Sequence, residues 1–388
     1  MFSRSSPTPT TRPRVLFLGS TFAGHKTRLA NLREHLAEDS RIEARVAPVS
    51  GWNHRGFIEG FVAMPRSFRG RLRAAVSARA FATLPRPDVI WTSVVQPILP
   101  HLWAQTGPLK RPVILDLDWT MKQRETMAPT YFHRKPRTGA SLALARMQER
   151  ALWRTVSVFT PWSHWAADSL ASEGVPRERI RVLPPGVNLE RWQPNDGRWA
   201  PGNAVEPLRL LFVGGDFDRK GGRLLLSAVA ALNGAVEADI VTYANIPEVP
   251  GVRIHRAGPN SPELLALFAR AHVFVSPTYA DCFGIATIEA MAAGLPVIVS
   301  DVGGAADIVD HGTTGLLIEP GGASLLVALH WALANRNNLQ AIGSAGRWRA
   351  EQRFDGRSND RAITDLALEL AADRAVVPLA SALDLPRC

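Results

Sequence analysis

Short apolar runs closed by small residues recur along the chain, and they limit the fold more than any other feature. RVLFLG at 14–19 is such a run. It ends in a small-residue turn, 20–24, before helical spacing through Leu29, Leu32 and Leu36 over 25–37. Further apolar runs lie at 88–93, 112–117, 156–160 and 179–183, with helical stretches at 142–154 and 164–172. Residues 193–207, QPNDGRWAPGNAVEP, are polar and rich in Pro and Gly and read as a linker. The pattern then restarts, with strands expected at 208–213, 238–242, 273–276 and 297–300 and helices at 222–232, after Ser261, and at 285–293. Strand–turn–helix alternation of this kind gives parallel sheets wrapped by helices. The fold class is therefore α/β, two Rossmann-like domains facing each other across a cleft.

A chain of 388 residues is too long for one core. We expect an N-terminal domain over 1–190 and a C-terminal domain over 191–355. A helix over 356–388 is expected to return to the first domain before a loose tail. No apolar run reaches spanning length, and the first residues lack the apolar stretch of a secretory signal. The two cysteines, Cys282 and Cys388, make no disulfide framework. A cytoplasmic location is expected, with peripheral association at the inner membrane face.

The net charge of +10 is unevenly spread. Residues 1–190 carry 28 Lys and Arg against 14 Asp and Glu, whereas 191–388 carry 17 against 21. A basic half suits a phosphate-rich partner. Arg66, Arg69, Arg71, Arg73 and Arg79 fall on an amphipathic pattern, which fits either docking to an anionic membrane surface or a packed helix with a solvated face.

Loops after parallel strands face the ligand crevice. DCFGIATIEAMAAGLPVIVSDVGG at 281–304 therefore puts Asp281, Phe283 and Gly284 where a ligand would lie. Glu289 falls about one turn into the following helix. A carboxylate accepts both hydroxyls of a vicinal diol, so two acids around a turn suit a nucleotide joined to a sugar. They equally fit a turn cap and a solvated helix residue. In FVGGDFDRKGG at 212–222, a strand ends at Gly214, and Arg219 and Lys220 stand beside a helix start. That is either a diphosphate clamp or a solvated loop. Gly24 permits close approach to a ligand phosphate, and His25 is either a general base or a structural residue. Asp116 and Asp118 lack a third ligand, so no metal is expected.

Together these residues resemble glycosyltransferase family 4, the retaining GT-B enzymes. The resemblance runs from about Arg14 to Ala372. It rests on Asp281-Cys-Phe-Gly284, on Glu289 through Ile298, and on Asp301-Val-Gly-Gly304 and His311-Gly-Thr-Thr-Gly315. Pro184-Pro-Gly-Val-Asn188, Leu211-Phe-Val-Gly214 and Lys220-Gly221 also match. The resemblance implies that Glu289 binds the donor ribose. Asp281 then holds the donor sugar, with backbone groups of Phe283, Gly284 and Ile285 nearby, and Lys220 neutralises the leaving diphosphate. The family's first Glu is Asp281 here, its Gly is Cys282, and its Arg after the strand glycine is Gly215, so Arg219 is expected to supply that cation. The family His near the end of 113–117 is missing, with Asp116 or Asp118 roughly there. The implied substrates are a nucleotide-sugar and a sugar, glycan or lipid-linked acceptor, with no cofactor, no metal and no nucleic acid partner. Alternatives are a nucleotide-sugar epimerase and a non-catalytic protein that binds nucleic acid or membrane.

Overall fold

The computed structural model describes residues 12–21, 24–49, 86–93, 111–199 and 207–376. The arginine-rich stretch 66–79 and the tail beyond 376 lie outside them, as do 22–23 of the first turn and 200–206 of the linker. Among the described residues no helix is long and apolar enough to cross a membrane.

The first sheet holds β1 (Arg14–Ser20), β2 (Glu43–Val49), β3 (Val89–Thr92), β4 (Val113–Leu117) and β5 (Val158–Pro161), in the order β2-β1-β3-β4-β5. β1 pairs in parallel with both β2 and β3. Every residue of β3 and β4 is buried, which is why these segments read as unbroken apolar runs. The helix Gly24–Glu38 follows β1 and buries Leu29, Leu32 and Leu36.

The second sheet holds β6 (Leu208–Val213), β7 (Val236–Val241), β8 (Val252–His255), β9 (Val273–Ser276), β10 (Val297–Ser300) and β11 (Gly315–Ile318). Its order is β11-β10-β9-β6-β7-β8, parallel throughout. The chain runs outward from β6 through β7 and β8, then crosses to β9 on the other side of β6. The strand order therefore reverses between β6 and β9, the point where an α/β sheet opens a crevice at its carboxyl end. The helix Pro262–Arg270 begins as its sequence dictates. Ser261 Oγ accepts the Leu264 N–H at 3.2 Å, Pro262 stands first, and Leu264, Leu267 and Phe268 are buried.

Two expectations are corrected, the strand at 179–183 and the boundary at 190. Residues 179–183 form no strand; 177–179 is a short 3-10 turn and the chain then runs on to Pro184-Pro185. Two successive prolines offer no N–H to a ladder. The start of the expected linker is packed. Arg198 is buried and donates to the carbonyls of Phe268, Ala271 and Ala293 at 3.0–3.3 Å, so one cation satisfies two helix C-termini. Finally, the compact units do not divide at 190. One comprises 1–116, 150–159 and 360–388, the other 117–149 and 160–359. The segments 117–149 and 160–190 thus group with the second sheet.

The last helix, Gly356–Val376, joins the first unit from Asp360 onward. Its Asp360 forms an ion pair with Arg28, with side chains 2% and 0% exposed. Thr364 Oγ1 donates to Asp39 Oδ2 at 2.9 Å, and Arg41 bonds Asp39 and Thr364. Removing one partner of a buried pair strands the other's charge. Asp360→Ala is expected to cost about 3–5 kcal/mol, seen as a lower urea midpoint, while Arg28→Met combined with Asp360→Leu recovers most of the loss.

Candidate functional site

The loops after β6 and β9 stand side by side over the reversal point, and each carries part of the site. After β6, Gly214 donates its N–H to Val241 O at 3.0 Å, and the chain turns through Asp216 and Arg219 to Lys220. Gly221 has φ +78°, and a Cβ there would collide with the Pro277 carbonyl oxygen. Tyr279 N–H donates to Arg219 O at 2.9 Å, and Thr278 Oγ1 donates to Arg219 O and Ala280 O. The two loops are stitched into one surface.

On that surface the Lys220 ammonium forms an ion pair with Asp281 Oδ2, each side chain 19% exposed. Asp281 Oδ1 accepts the N–H of Cys282 at 3.1 Å. The carboxylate is thus oriented by a cation on one oxygen and its own backbone on the other. Asp301–Gly304 closes the third side: Gly304 N–H donates to Cys282 O at 2.9 Å, and Gly303, at φ +60°, packs directly on the Asp281 carbonyl. Cys282 is buried, and burial pushes its thiol well above the usual range, so it is no nucleophile.

Arg219 takes a different place from the one expected. Its side chain is 8% exposed, donating to Ala280 O at 2.6 Å and to Asp216 Oδ2 at 3.1 Å. Its guanidinium lies 4.1 Å from the centre of the Tyr131 ring. It braces the loop at Ala280, one residue before Asp281, rather than projecting beside Lys220.

The helix Ile285–Ala292 begins after Gly284. The Phe283 ring turns inward, in edge contact with Trp162 and Phe354 at 5.9 and 6.4 Å, and fixes the loop to the core. A pocket opens beside Asp281, lined by Thr278, Gly284, Thr287 and Ser300. Ser300 Oγ is buried there without a hydrogen-bond partner among the described residues. Glu289 is 7% exposed, and burial raises its carboxyl to about 8, opposed only by Arg191. A buried acid with a raised pKa on the helix that follows this loop is a candidate functional group.

Gly24 and His25 open the first helix of the other unit, both half-buried. Asp118 follows β4, half-buried, while Asp116 within the strand is buried. Among the described residues no three metal-ligating side chains come together. Sequence reasoning brought out Asp281, Glu289 and Lys220 and missed Thr278, Ser300 and Tyr131. The small hydroxyl residues sit at strand ends that carry no motif, and Tyr131 is distant in sequence.

Two family models match the chain. Glycosyl transferases group 1 covers residues 207–335, and the glycosyl transferase 4-like domain covers 22–186. A D-inositol 3-phosphate glycosyltransferase of Arthrobacter sp. is 31% identical over 40% of this chain and 41% of its own. An MMP alpha-(1->4)-mannosyltransferase of Mycolicibacterium hassiacum is 29% identical over 62% of this chain and 60% of its own. The chain spans about half the length of the curated relatives it matches. Among solved structures, the sucrose-phosphate synthase of Thermosynechococcus elongatus superposes with TM-score 0.74 at 21% identity, over 93% of this chain and 100% of that one. An Anabaena protein in complex with UDP-glucose gives 0.65 at 17% identity, over 92% and 100%. These likenesses show a GT-B fold.

The raised pKa of Glu289 has a consequence for stability. The folded state binds its proton more tightly than the unfolded chain, whose carboxyl titrates near 4.5. The protonated form is therefore favoured on folding, and that contribution is lost as pH rises from about 4.5 through about 8. Glu289→Gln is expected to flatten the fall in melting temperature across this window, measured by thermal unfolding at a series of pH values.

Proposed function

The chain belongs to the glycosyl transferases group 1 family, and from that premise we propose that it transfers a sugar from a nucleotide-sugar donor to an acceptor. The observation that carries this reading is the Lys220–Asp281 pair over the β6/β9 reversal, with buried Glu289 on the adjoining helix. Each partner of the pair has a donor group to receive. The ammonium takes the diphosphate, and the carboxylate takes sugar hydroxyls. Glu289 accepts the ribose diol, and the two hydroxyls replace the hydration that its carboxylate lost on burial.

As the bond between sugar and diphosphate breaks, negative charge collects on the leaving phosphate. Lys220 already stands there, so no charge need be brought in at the moment of reaction. This supports a metal-independent transfer. Asp281 is occupied by Lys220 and the Cys282 N–H, which suits positioning of the sugar rather than attack on it. We assign retention of configuration on the family resemblance. A basic N-terminal half favours an anionic or lipid-linked acceptor at the cytoplasmic membrane face.

The test is a binding panel of nucleoside diphosphates and their sugar conjugates, UDP-glucose among them. Wild type is expected to be stabilised by at least one. Lys220→Ala should weaken the nucleotide and inorganic pyrophosphate alike, by about 10- to 100-fold. Glu289→Ala should weaken only the nucleotide. If no nucleotide binds wild type, the reading fails. Sugar donor turned over to an epimer without acceptor points instead to an epimerase.

Nucleotide binding is also expected to strengthen between pH 7 and 9. The ribose hydroxyls favour the carboxylate of Glu289, whose pKa burial raises to about 8. Calorimetric titrations should show this slope in wild type and none in Glu289→Gln.

A further inference from the structure

Ser300 closes β10 at 1% exposure, and its Oγ meets no hydrogen-bond partner among the described residues. The chain around it is fixed. Ser300 O accepts the Val302 N–H at 2.9 Å, and the Asp301 N–H donates to Ile318 O at 2.8 Å. From there the chain runs into the Gly303 and Gly304 contacts that hold the Asp281 loop. A buried hydroxyl left unbonded costs stability. Alanine would fill the same place in the strand and leave no polar atom unpaired.

What shares the pocket with Ser300 gives its hydroxyl a use. Ser300, Asp281, Thr278 and Thr287 line the pocket together, with Val299 and Ile308 among its apolar walls. Thr278 is committed, because its Oγ1 donates to Arg219 O and Ala280 O at 3.2 and 3.0 Å. The apolar walls offer Ser300 nothing. Asp281 as a carboxylate only accepts, with Lys220 on one oxygen and the Cys282 N–H on the other. Each of those oxygens keeps a second lone pair. The pocket thus presents a donor at Ser300 and an acceptor at Asp281. One hydroxyl, which both accepts and donates, satisfies the two together.

Space decides what can carry that hydroxyl. The free volume is about 20 Å³, room for one water-sized group. It takes a hydroxyl and not a bulkier substituent. Gly284 keeps the space clear. A methyl group there would come within 2.8 Å of Thr287 Oγ1 and 4.0 Å of Asp281 Oδ2. Both polar groups therefore lie close to one point, and a side chain at 284 would occupy it.

We propose that Ser300 is a specificity-determining residue: its hydroxyl donates to one hydroxyl of the donor sugar, which donates in turn to Asp281. The sugar is thereby read by a pocket that admits a bare hydroxyl at one carbon and refuses a larger group there. Ser300 carries no charge and takes no part in the Lys220 contact, so it acts on the sugar and not on the diphosphate. This assignment deepens the nucleotide-sugar reading and rests on it.

The experiment titrates the full chain calorimetrically with UDP, UDP-glucose, GDP and GDP-mannose, then with the monodeoxy analogues of whichever conjugate binds. Wild type should bind one conjugate more tightly than its parent diphosphate. Ser300→Ala should weaken that conjugate by about 3- to 10-fold and leave the parent unchanged, which also reports that the variant folds. Ser300→Val, which fills the space as well, should weaken it further. Removing the matching sugar hydroxyl should cost wild type several-fold more than it costs Ser300→Ala, while the other deoxy analogues cost both alike. The assignment is overturned if Ser300→Ala binds the conjugate as wild type does, or if it weakens conjugate and parent equally, the mark of a structural hydroxyl. It is equally overturned if every deoxy analogue costs both proteins the same, which would leave Ser300 to a trapped water. A wild type that binds UDP or GDP but gains nothing from either sugar overturns it and spares nucleotide binding. One that binds none of these ligands sinks the nucleotide-sugar reading itself.

Discussion

The Lys220–Asp281 ion pair is the contact on which the rest of the site depends. Lys220 follows β6 and Asp281 follows β9, strands adjacent in the sheet and 61 residues apart in sequence. Nothing local to either loop brings them together; the reversal of strand order does. Both groups keep some exposure, so the pair is neither a buried structural bridge nor a solvated surface contact. In such a setting each charge is held in place by the other and still open to exchange. In the proposed transfer, a diphosphate would offer Lys220 a stronger anion and a sugar would offer Asp281 neutral donors. The pair therefore keeps its two charged groups aligned with each other.

Keeping them aligned demands a rigid floor, and the sequence supplies it through small residues and one large one. Gly221 and Gly303 each have positive φ and each lie against a carbonyl oxygen of the neighbouring loop, at Pro277 and Asp281. Any side chain at either position would push the loops apart. Arg219 spans the gap from the other direction, tying Asp216 to Ala280 under the cover of Tyr131. A residue that looks like a second phosphate cation in sequence thus acts as a brace. The difference lies in its donors: among the described residues the Lys220 ammonium pairs with Asp281 alone, whereas Arg219 is committed to a carboxylate, a carbonyl and a ring.

Much of this was legible beforehand, and the reasons are physical. Strands β9 and β10 and the helix between them were readable because four-residue apolar runs bounded by Pro, Ser and Gly have few other ways to fold. Asp281 and Lys220 were readable because they lie in loops that follow strands, and Glu289 because it lies in the helix that the Asp281 loop opens. The segment 179–183 misled because apolar alternation was read without regard to the prolines that follow. Arg219 and Tyr131 were unreadable because their meaning is a contact across 88 positions. Spacing along the chain carries no information about such a pair. Ser300 belongs to the same class: a serine at a strand end is ordinary until the fold buries its hydroxyl beside a pocket.

The two departures from the family at 281 and 282 make sense as one change. Asp281 is a methylene shorter than the glutamate of the family pattern, so its carboxylate stays closer to the backbone and within reach of the Cys282 N–H. A carboxylate drawn back in this way can be fixed only if the backbone beneath it is fixed. Cys282 does that where a glycine would not. Its side chain is 2% exposed, its carbonyl accepts from Gly304, and its neighbour Phe283 is wedged between Trp162 and Phe354. A glycine there would restore conformational freedom to the residue that orients the acid. The shorter acid and the buried thiol are therefore coupled: the first shifts the carboxylate, and the second removes the freedom that would let it drift.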